Sequence, residues 1–230
     1  MKYLITFMVL LFAGAAMAQH KSKYNFLKQD SKIKTYVTKL ALPVSLISVG
    51  VFGFNRGEEP NAFNSPAKFV FNETLEGRHI HVDDFLQYTP LLAYLSISGR
   101  ENFGERFMVT TTASLLVWGL IMPVKAKAGE LRPDFQSDNS FPSGHTATAF
   151  MGAELLRLGG YGKKITIPAY LTAVTVGCLR IHNNRHWFND VVAGAGFGIL
   201  SAELAYWLFP LEKKLFSPKD KTRKLSNKTF

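Results

Sequence analysis

The sequence predicts an all-α fold, a polytopic membrane helix bundle of about five or six helices with its polar residues gathered at one membrane surface. Three observations carry this. Apolar residues fill 47% of the 230 positions and charged residues only 19%, too much hydrophobicity for an intrinsically disordered chain. The mean hydropathy of +0.04 is high for a soluble globule and low for membrane spans alone, so polar and apolar residues must be segregated along the chain. They are: apolar stretches at 40–54, 85–99, 107–124, 146–156, 165–179 and 191–210 alternate with polar loops. The single cysteine, Cys178, excludes an internal disulfide framework and a cysteine-based zinc site.

The elements follow in order. Residues 1–18 read as a signal peptide: Lys2, an apolar run over 3–13, then Ala16-Met17-Ala18 as a small-x-small cleavage pattern. An uncleaved first helix is the alternative. Residues 19–230 form a single domain. A bilayer core of about 30 Å needs roughly 20 helical residues, and only the stretches 107–124 and 191–210 come close. The others are shorter, but Thr110-Thr111-Thr112-Ala113-Ser114 and Ala193-Gly194-Ala195-Gly196 supply the small side chains that let membrane helices approach closely.

Charge sets the orientation. With 27 basic and 17 acidic side chains, 27 − 17 gives +10, which suits anionic membrane lipids or nucleic acid. The connection 157–164 holds Arg157, Lys163 and Lys164 without an acid, and seven basic residues follow Pro210 (Lys213, Lys214, Lys219, Lys221, Arg223, Lys224, Lys228). Both segments read as cytoplasmic by the positive-inside rule. The stretch 55–84 carries six acids against three basic residues and is expected outside. Basic residues scattered over loops without a groove-reading motif argue against nucleic acid.

Topology then brings three clusters to one end. A helix over 107–124 delivers Lys125 and Arg132-Pro133; the next helix starts from that surface at Pro142-Ser143-Gly144-His145; the helix 165–179 returns to it at Arg180; His186 and Asp190 open the last helix. Lys125, Arg132 and Arg180 can surround a dianion, arginine's planar fork favouring bidentate phosphate contact. Ser143-Gly144 at a helix start offers a capping hydroxyl and backbone N–H groups. Placed four apart, His186 and Asp190 share a helix face, so the carboxylate can fix the tautomer and leave the other ring nitrogen as a nucleophile. His145 remains to protonate a leaving alcohol, a role typically worth about 10²- to 10⁴-fold.

Each fragment alone has an ordinary reading: membrane-anchoring cations, a helix start, a surface ion pair. The ordered set Lys125-x6-Arg132-Pro133, Pro142-Ser143-Gly144-His145, Arg180-x5-His186-x3-Asp190 is expected by chance in far fewer than about one chain in a hundred thousand. It resembles the membrane branch of the type 2 phosphatidic acid phosphatase superfamily, over a catalytic half at about 107–210. The resemblance implies a metal-independent lipid phosphatase, without cofactor, whose active site lies at the membrane surface. It makes His186 the nucleophile that becomes phosphohistidine, Asp190 its orienting partner and His145 the acid, with phosphate held by Lys125, Arg132, Ser143, Gly144 and Arg180. For an exported bacterial-type chain it implies a lipid A phosphate, undecaprenyl diphosphate or phosphatidylglycerol phosphate substrate, in the inner membrane with the site facing the periplasm. One departure is Leu179, where the family often has serine.

Two rivals bear weighing. His79-Ile80-His81-Val82-Asp83 resembles half of the metal-binding signature of the metallo-β-lactamase fold, but Asp84 stands where that signature commonly has histidine. Asp83 and Asp84 capping a helix at Phe85 is the preferred reading. A membrane scaffold or transporter of the same fold, without the reaction, is the non-enzyme alternative. Orientation also contains a conflict: an outside active site makes 40–54 run from inside to outside, whereas a cleaved signal leaves Gln19 outside. Either the signal is misread, or 40–54 is re-entrant or surface-lying.

Overall fold

The computed structural model describes residues 30–54, 61–67, 80–97 and 102–216, with the side chains of the first helix described from Val37 onward. The signal-peptide reading of 1–18, His79, most of the acidic stretch and the basic tail beyond 216 lie outside the described residues. The regular structure is helical, with no strand among the described residues: α1 (Asp30–Phe52), α2 (Asp83–Leu86), α3 (Thr89–Ser96), α4 (Phe103–Ala128), α5 (Gly144–Leu158), α6 (Lys163–His182) and α7 (Phe188–Phe216).

Three helices, α4, α6 and α7, are long and apolar enough to cross a membrane. Of α7's most apolar window 72% is buried inside the protein, against 28% for α4, so α7 is the axis of the bundle and α4 lies at its rim. Leu115, Trp118 and Met122 on α4 and Ile167 and Leu171 on α6 are accordingly exposed, an apolar coat suited to lipid. The small residues of α7 explain its central place. A Cβ on Gly194 would stand 2.5 Å from the Ser143 carbonyl oxygen, and one on Gly196 would stand 2.7 Å from that of Pro43. Only hydrogen at these positions lets the start of α5 and the body of α1 lie directly on the α7 backbone.

One expectation needs correction. The stretch 85–99 is not one helix: Pro90 starts a new eight-residue helix, α3, after the single turn of α2, and eight residues rise only about 12 Å. The stretch 40–54 is helical as far as Phe52. It is the greater part of the 23-residue α1, about 34 Å long, whose far end is tied down where Asn61 and Asn64 donate to the Gly53 carbonyl.

At the end of the bundle away from Lys125 and His186, a buried charged cluster joins α5, α6 and α7. Arg157 donates to Glu154 (Nε to Oε2, 2.9 Å) and to Glu203 (2.6 Å), the Tyr170 hydroxyl bonds Glu154, and Lys39 of α1 lies 3.9 Å from Glu203. The basic connection 157–164 is at this same end.

Candidate active site

Helix α4 ends at Gly129, whose φ of +59° is a left-handed stop. The ammonium of Lys125, in its last turn, donates to the carbonyls of Asn139 (2.6 Å) and Ser140 (3.3 Å), folding the following loop back over the helix end. That loop is also fastened to the α6–α7 turn: Trp187 Nε1 donates to Leu131 O at 2.7 Å and Asp134 N to Asn184 O at 3.2 Å. Ser143 then caps α5, accepting from Thr146 N at 3.5 Å and Thr146 Oγ1 at 2.9 Å, while its own N–H donates to Asp190 O at 3.0 Å. Loop and helix start are thus anchored on α7.

His186 lies 3.3 Å through Nδ1 from Asp190 Oδ2. The sequence predicts both on one helix face, but α7 begins only at Phe188, so His186 belongs to the turn before it. The contact closes because Asp190 Oδ2 also accepts from Trp187 N at 2.8 Å and from Ser140 Oγ at 2.5 Å. Three donors converge on one oxygen. His186 is 2% exposed and Asp190 0%. Burial pushes the His186 imidazole down to about 3, the charges of Lys125 and Arg180 acting the same way against the pull of Asp190. The ring is therefore neutral at ordinary pH, and its Nε2 has no hydrogen-bond partner among the described residues.

Arg180 acts electrostatically on the His186 ring and Arg132 on Asp190, and each has a donor to spare. Arg180 is 6% exposed; its Nη1 donates to Asp83 Oδ2 at 2.7 Å, and its Nε is buried without an acceptor. Arg132 Nε is likewise buried and unsatisfied. Burial first, then the neighbouring charges of Arg185 and Arg180, hold the Arg132 guanidinium below its ordinary value. Such crowding of cations is costly unless an anion joins them. A crevice beside the ring is lined by Asn64, Pro133, Ile181, Asn184, Trp187 and Phe188.

Every residue the sequence singles out is thus placed at this end: Lys125, Arg132, Ser143, Gly144, His145, Arg180, His186 and Asp190. Several neighbours went unread. Arg185 pairs with Asp134 at 3.2 Å. Ser140 carries no motif signal. Glu130, 0% exposed, accepts from Asn189 Nδ2 at 3.3 Å on both oxygens, and Asn189 N donates to Asn64 Oδ1. The helix-cap reading of Asp83 and Asp84 is corrected: Val82 occupies the cap position, and no side chain caps α2. Arg180 claims the Asp83 carboxylate, and His145 Nε2 lies 2.9 Å from Asp84 Oδ1. Separations of 97 and 61 residues hide both contacts from any local pattern.

A neutral imidazole with Nε2 unpartnered among the described residues, acted on by Lys125 and Arg180, has the chemistry to meet an oxyanion. Residues 107–214 match the PAP2 superfamily. Those residues belong to the PAP2 superfamily. Relatives agree. The chain is 39% identical over 142 residues to the lipid A 1-phosphatase of Porphyromonas gingivalis, covering 58% of this chain and 32% of that one. It is 39% identical over 77 residues to the bacitracin transport permease protein BcrC of Bacillus licheniformis, covering 34% and 37%. The chain therefore spans about a third of the length of these curated relatives. Among solved structures it resembles Aquifex aeolicus LpxE (TM-score 0.51, 27% identity, 64% of this chain and 96% of that one). It also resembles the first transmembrane PAP2-type phosphatidylglycerolphosphate phosphatase from Bacillus subtilis (TM-score 0.50, 25% identity, 77% and 98%). The PAP2 match holds Lys125 through Asp190 and leaves α2, with Asp83 and Asp84, outside it.

Proposed function

We propose that this chain is a membrane lipid phosphatase that removes phosphate from a lipid A-type substrate, in the inner membrane with its site facing the periplasm. The observation that carries the reading is the buried, neutral His186 on Asp190, at the same end of the bundle as Arg132 and Arg180, each with a buried, unsatisfied Nε–H. Lipid A phosphate ranks ahead of undecaprenyl diphosphate and phosphatidylglycerol phosphate because the longer curated match, over 142 residues, is to a protein named for lipid A. The periplasmic placement follows from charge: the basic connection 157–164 is at the end opposite His186, and basic ends stay cytoplasmic.

The residues act as follows. Lys125, Arg132 and Arg180, with the N–H groups at Ser143-Gly144, hold the phosphate oxygens. The His186 Nε2 lone pair attacks phosphorus; the bond to the lipid oxygen breaks with its electron pair, and that oxygen takes a proton from His145. Asp190 stabilises the charge that develops on the His186 ring. Water then attacks phosphorus, giving its proton to His145, and the P–N bond breaks with its pair returning to His186. Side-chain cations supply all the positive charge in this scheme.

Purified protein assayed with lipid A, undecaprenyl diphosphate and phosphatidylglycerol phosphate, with and without chelator, tests it. Fastest phosphate release from lipid A, unchanged by chelator and abolished in His186→Ala with the protein still folded, is the expected result. Release that persists in His186→Ala would sink the site assignment.

A further inference from the structure

Helix α2 brings two adjacent carboxylates to the site, and they are held differently. Asp83 is 1% exposed: Oδ2 accepts from Arg180 Nη1 at 2.7 Å and Oδ1 from Asn183 Nδ2 at 3.3 Å. Asn183 also exchanges two hydrogen bonds with the Ile80 backbone, at 2.9 and 2.8 Å. Asp83 and Asn183 thus rivet α2 to the end of α6. Asp84, the next residue, has a half-exposed side chain; its Oδ1 lies 2.9 Å from His145 Nε2 and 3.6 Å from Arg180 Nη1.

We propose that Asp84 is the positioning residue for His145, so that the site holds two histidine–carboxylate pairs, His186–Asp190 buried and His145–Asp84 at the mouth. The inference rests on the phosphohistidine reading above and deepens it. An acceptor on Nε2 fixes one proton there, so Nδ1 is the nitrogen that exchanges the catalytic proton. In the first step Nδ1 gives its proton to the lipid oxygen as the P–O bond breaks, leaving a neutral ring still donating from Nε2 to Asp84. In the second step the Nδ1 lone pair takes a proton from water as that water's oxygen bonds phosphorus. The ring returns to its charged form without turning over.

The charged groups facing His145 are Arg180 from α6 and Asp84 and Asp83 from α2; burial and Arg180 push its imidazole below the ordinary value, and Asp84 pulls it back up. Asp84 therefore favours the acid form of a histidine that its surroundings would neutralise. The same carboxylate, near Arg180, competes with incoming phosphate. Removing it is expected to slow the chemistry without weakening binding, a split that a merely structural residue does not produce.

The experiment compares wild type, Asp84→Asn, Asp84→Glu and His186→Ala, each checked for an unchanged melting temperature, on two substrates: an alkyl phosphate with a poor leaving group and p-nitrophenyl phosphate, whose phenolate leaves without a proton. For Asp84→Asn the expected result is a kcat about 10- to 50-fold lower on the alkyl phosphate, under about threefold lower on the nitrophenyl ester, with KM unchanged or reduced. The alkaline limb of kcat/KM should move about one pH unit lower, and Asp84→Glu should restore at least part of both. Equal losses on the two substrates, or a wild-type pH profile in Asp84→Asn, overturn the proposal. His186→Ala separates the two readings: if it stays active the phosphohistidine scheme fails, and if it is dead while Asp84→Asn behaves as wild type only the Asp84 inference fails.

Discussion

Replacing Asp190 by asparagine removes one charge and almost no shape, which makes it the sharpest probe of the buried histidine pair. Three donors meet at Oδ2: His186 Nδ1, Ser140 Oγ and Trp187 N. The amide NH₂ cannot occupy that point, because it would face three other donors, so the amide oxygen takes it. The NH₂ then falls at the position of Oδ1, which is buried and already lacks a partner. Three consequences follow. Leaving that donor unsatisfied costs about 1–3 kcal/mol of stability. The Nδ1 proton keeps its acceptor, so Nε2 remains the free nitrogen, unlike a serine-protease triad where asparagine selects the wrong tautomer at about a 10⁴-fold cost. In the proposed mechanism, what disappears is the charge-assisted part of the bond as the ring becomes cationic on attacking phosphorus. Charged hydrogen bonds contribute about 1.5–3 kcal/mol against about 0.5–1.5 for neutral ones; the difference of about 1–2 kcal/mol is a rate factor of about 5- to 30-fold. Phosphate release under saturating lipid phosphate, with a melting curve in the same detergent, measures both quantities. A loss of 10⁴-fold in a folded protein would mean that the tautomer had flipped, and no loss would mean that Asp190 is not coupled to the reacting ring; either refutes the reasoning.

Other outcomes follow from the same geometry. Because burial keeps His186 neutral down to about pH 3 and His145 is held below its ordinary value, the pH–rate profile should be displaced toward acid, its alkaline limb below about 6.5; an optimum above pH 8 would contradict the His145 shift. The same depression makes His186 a stability group with a definite sign: unfolded it binds a proton near pH 6.5 and folded only near 3, so the melting temperature should fall as pH drops through that window. Gly194→Ala sets a Cβ 2.5 Å from the Ser143 carbonyl oxygen, which should destabilise by about 1–3 kcal/mol and lower activity by shifting the start of α5. A thermal scan and a rate comparison test both effects. At the far end of the bundle, Arg157→Leu strips Glu154 and Glu203 of the cation between them, with an expected loss of about 3–5 kcal/mol. Adding Glu203→Gln should recover part of that loss in denaturation experiments.

The sequence by itself determined the helical class, the small-residue axis of α7 and the set of residues that meet at one end. Those follow from local composition and from the rule that successive spans alternate in direction, so Lys125, Ser143, Arg180 and His186 fall at the same end whatever the packing details. Tertiary structure decided what couples them. Pro90 splits an apolar stretch that periodicity alone joins, and thereby sets α2 against the end of α6. The carboxylates of Asp83 and Asp84 look like helix caps because a cap is the nearest local use for them; a buried Arg180 and a half-buried His145, 97 and 61 residues away, claim them instead. Convergence of Ser140, Trp187 and His186 on one oxygen of Asp190 also needs a folded loop. Electrostatics in a low-dielectric interior depends on distance in space, and only the fold supplies that distance.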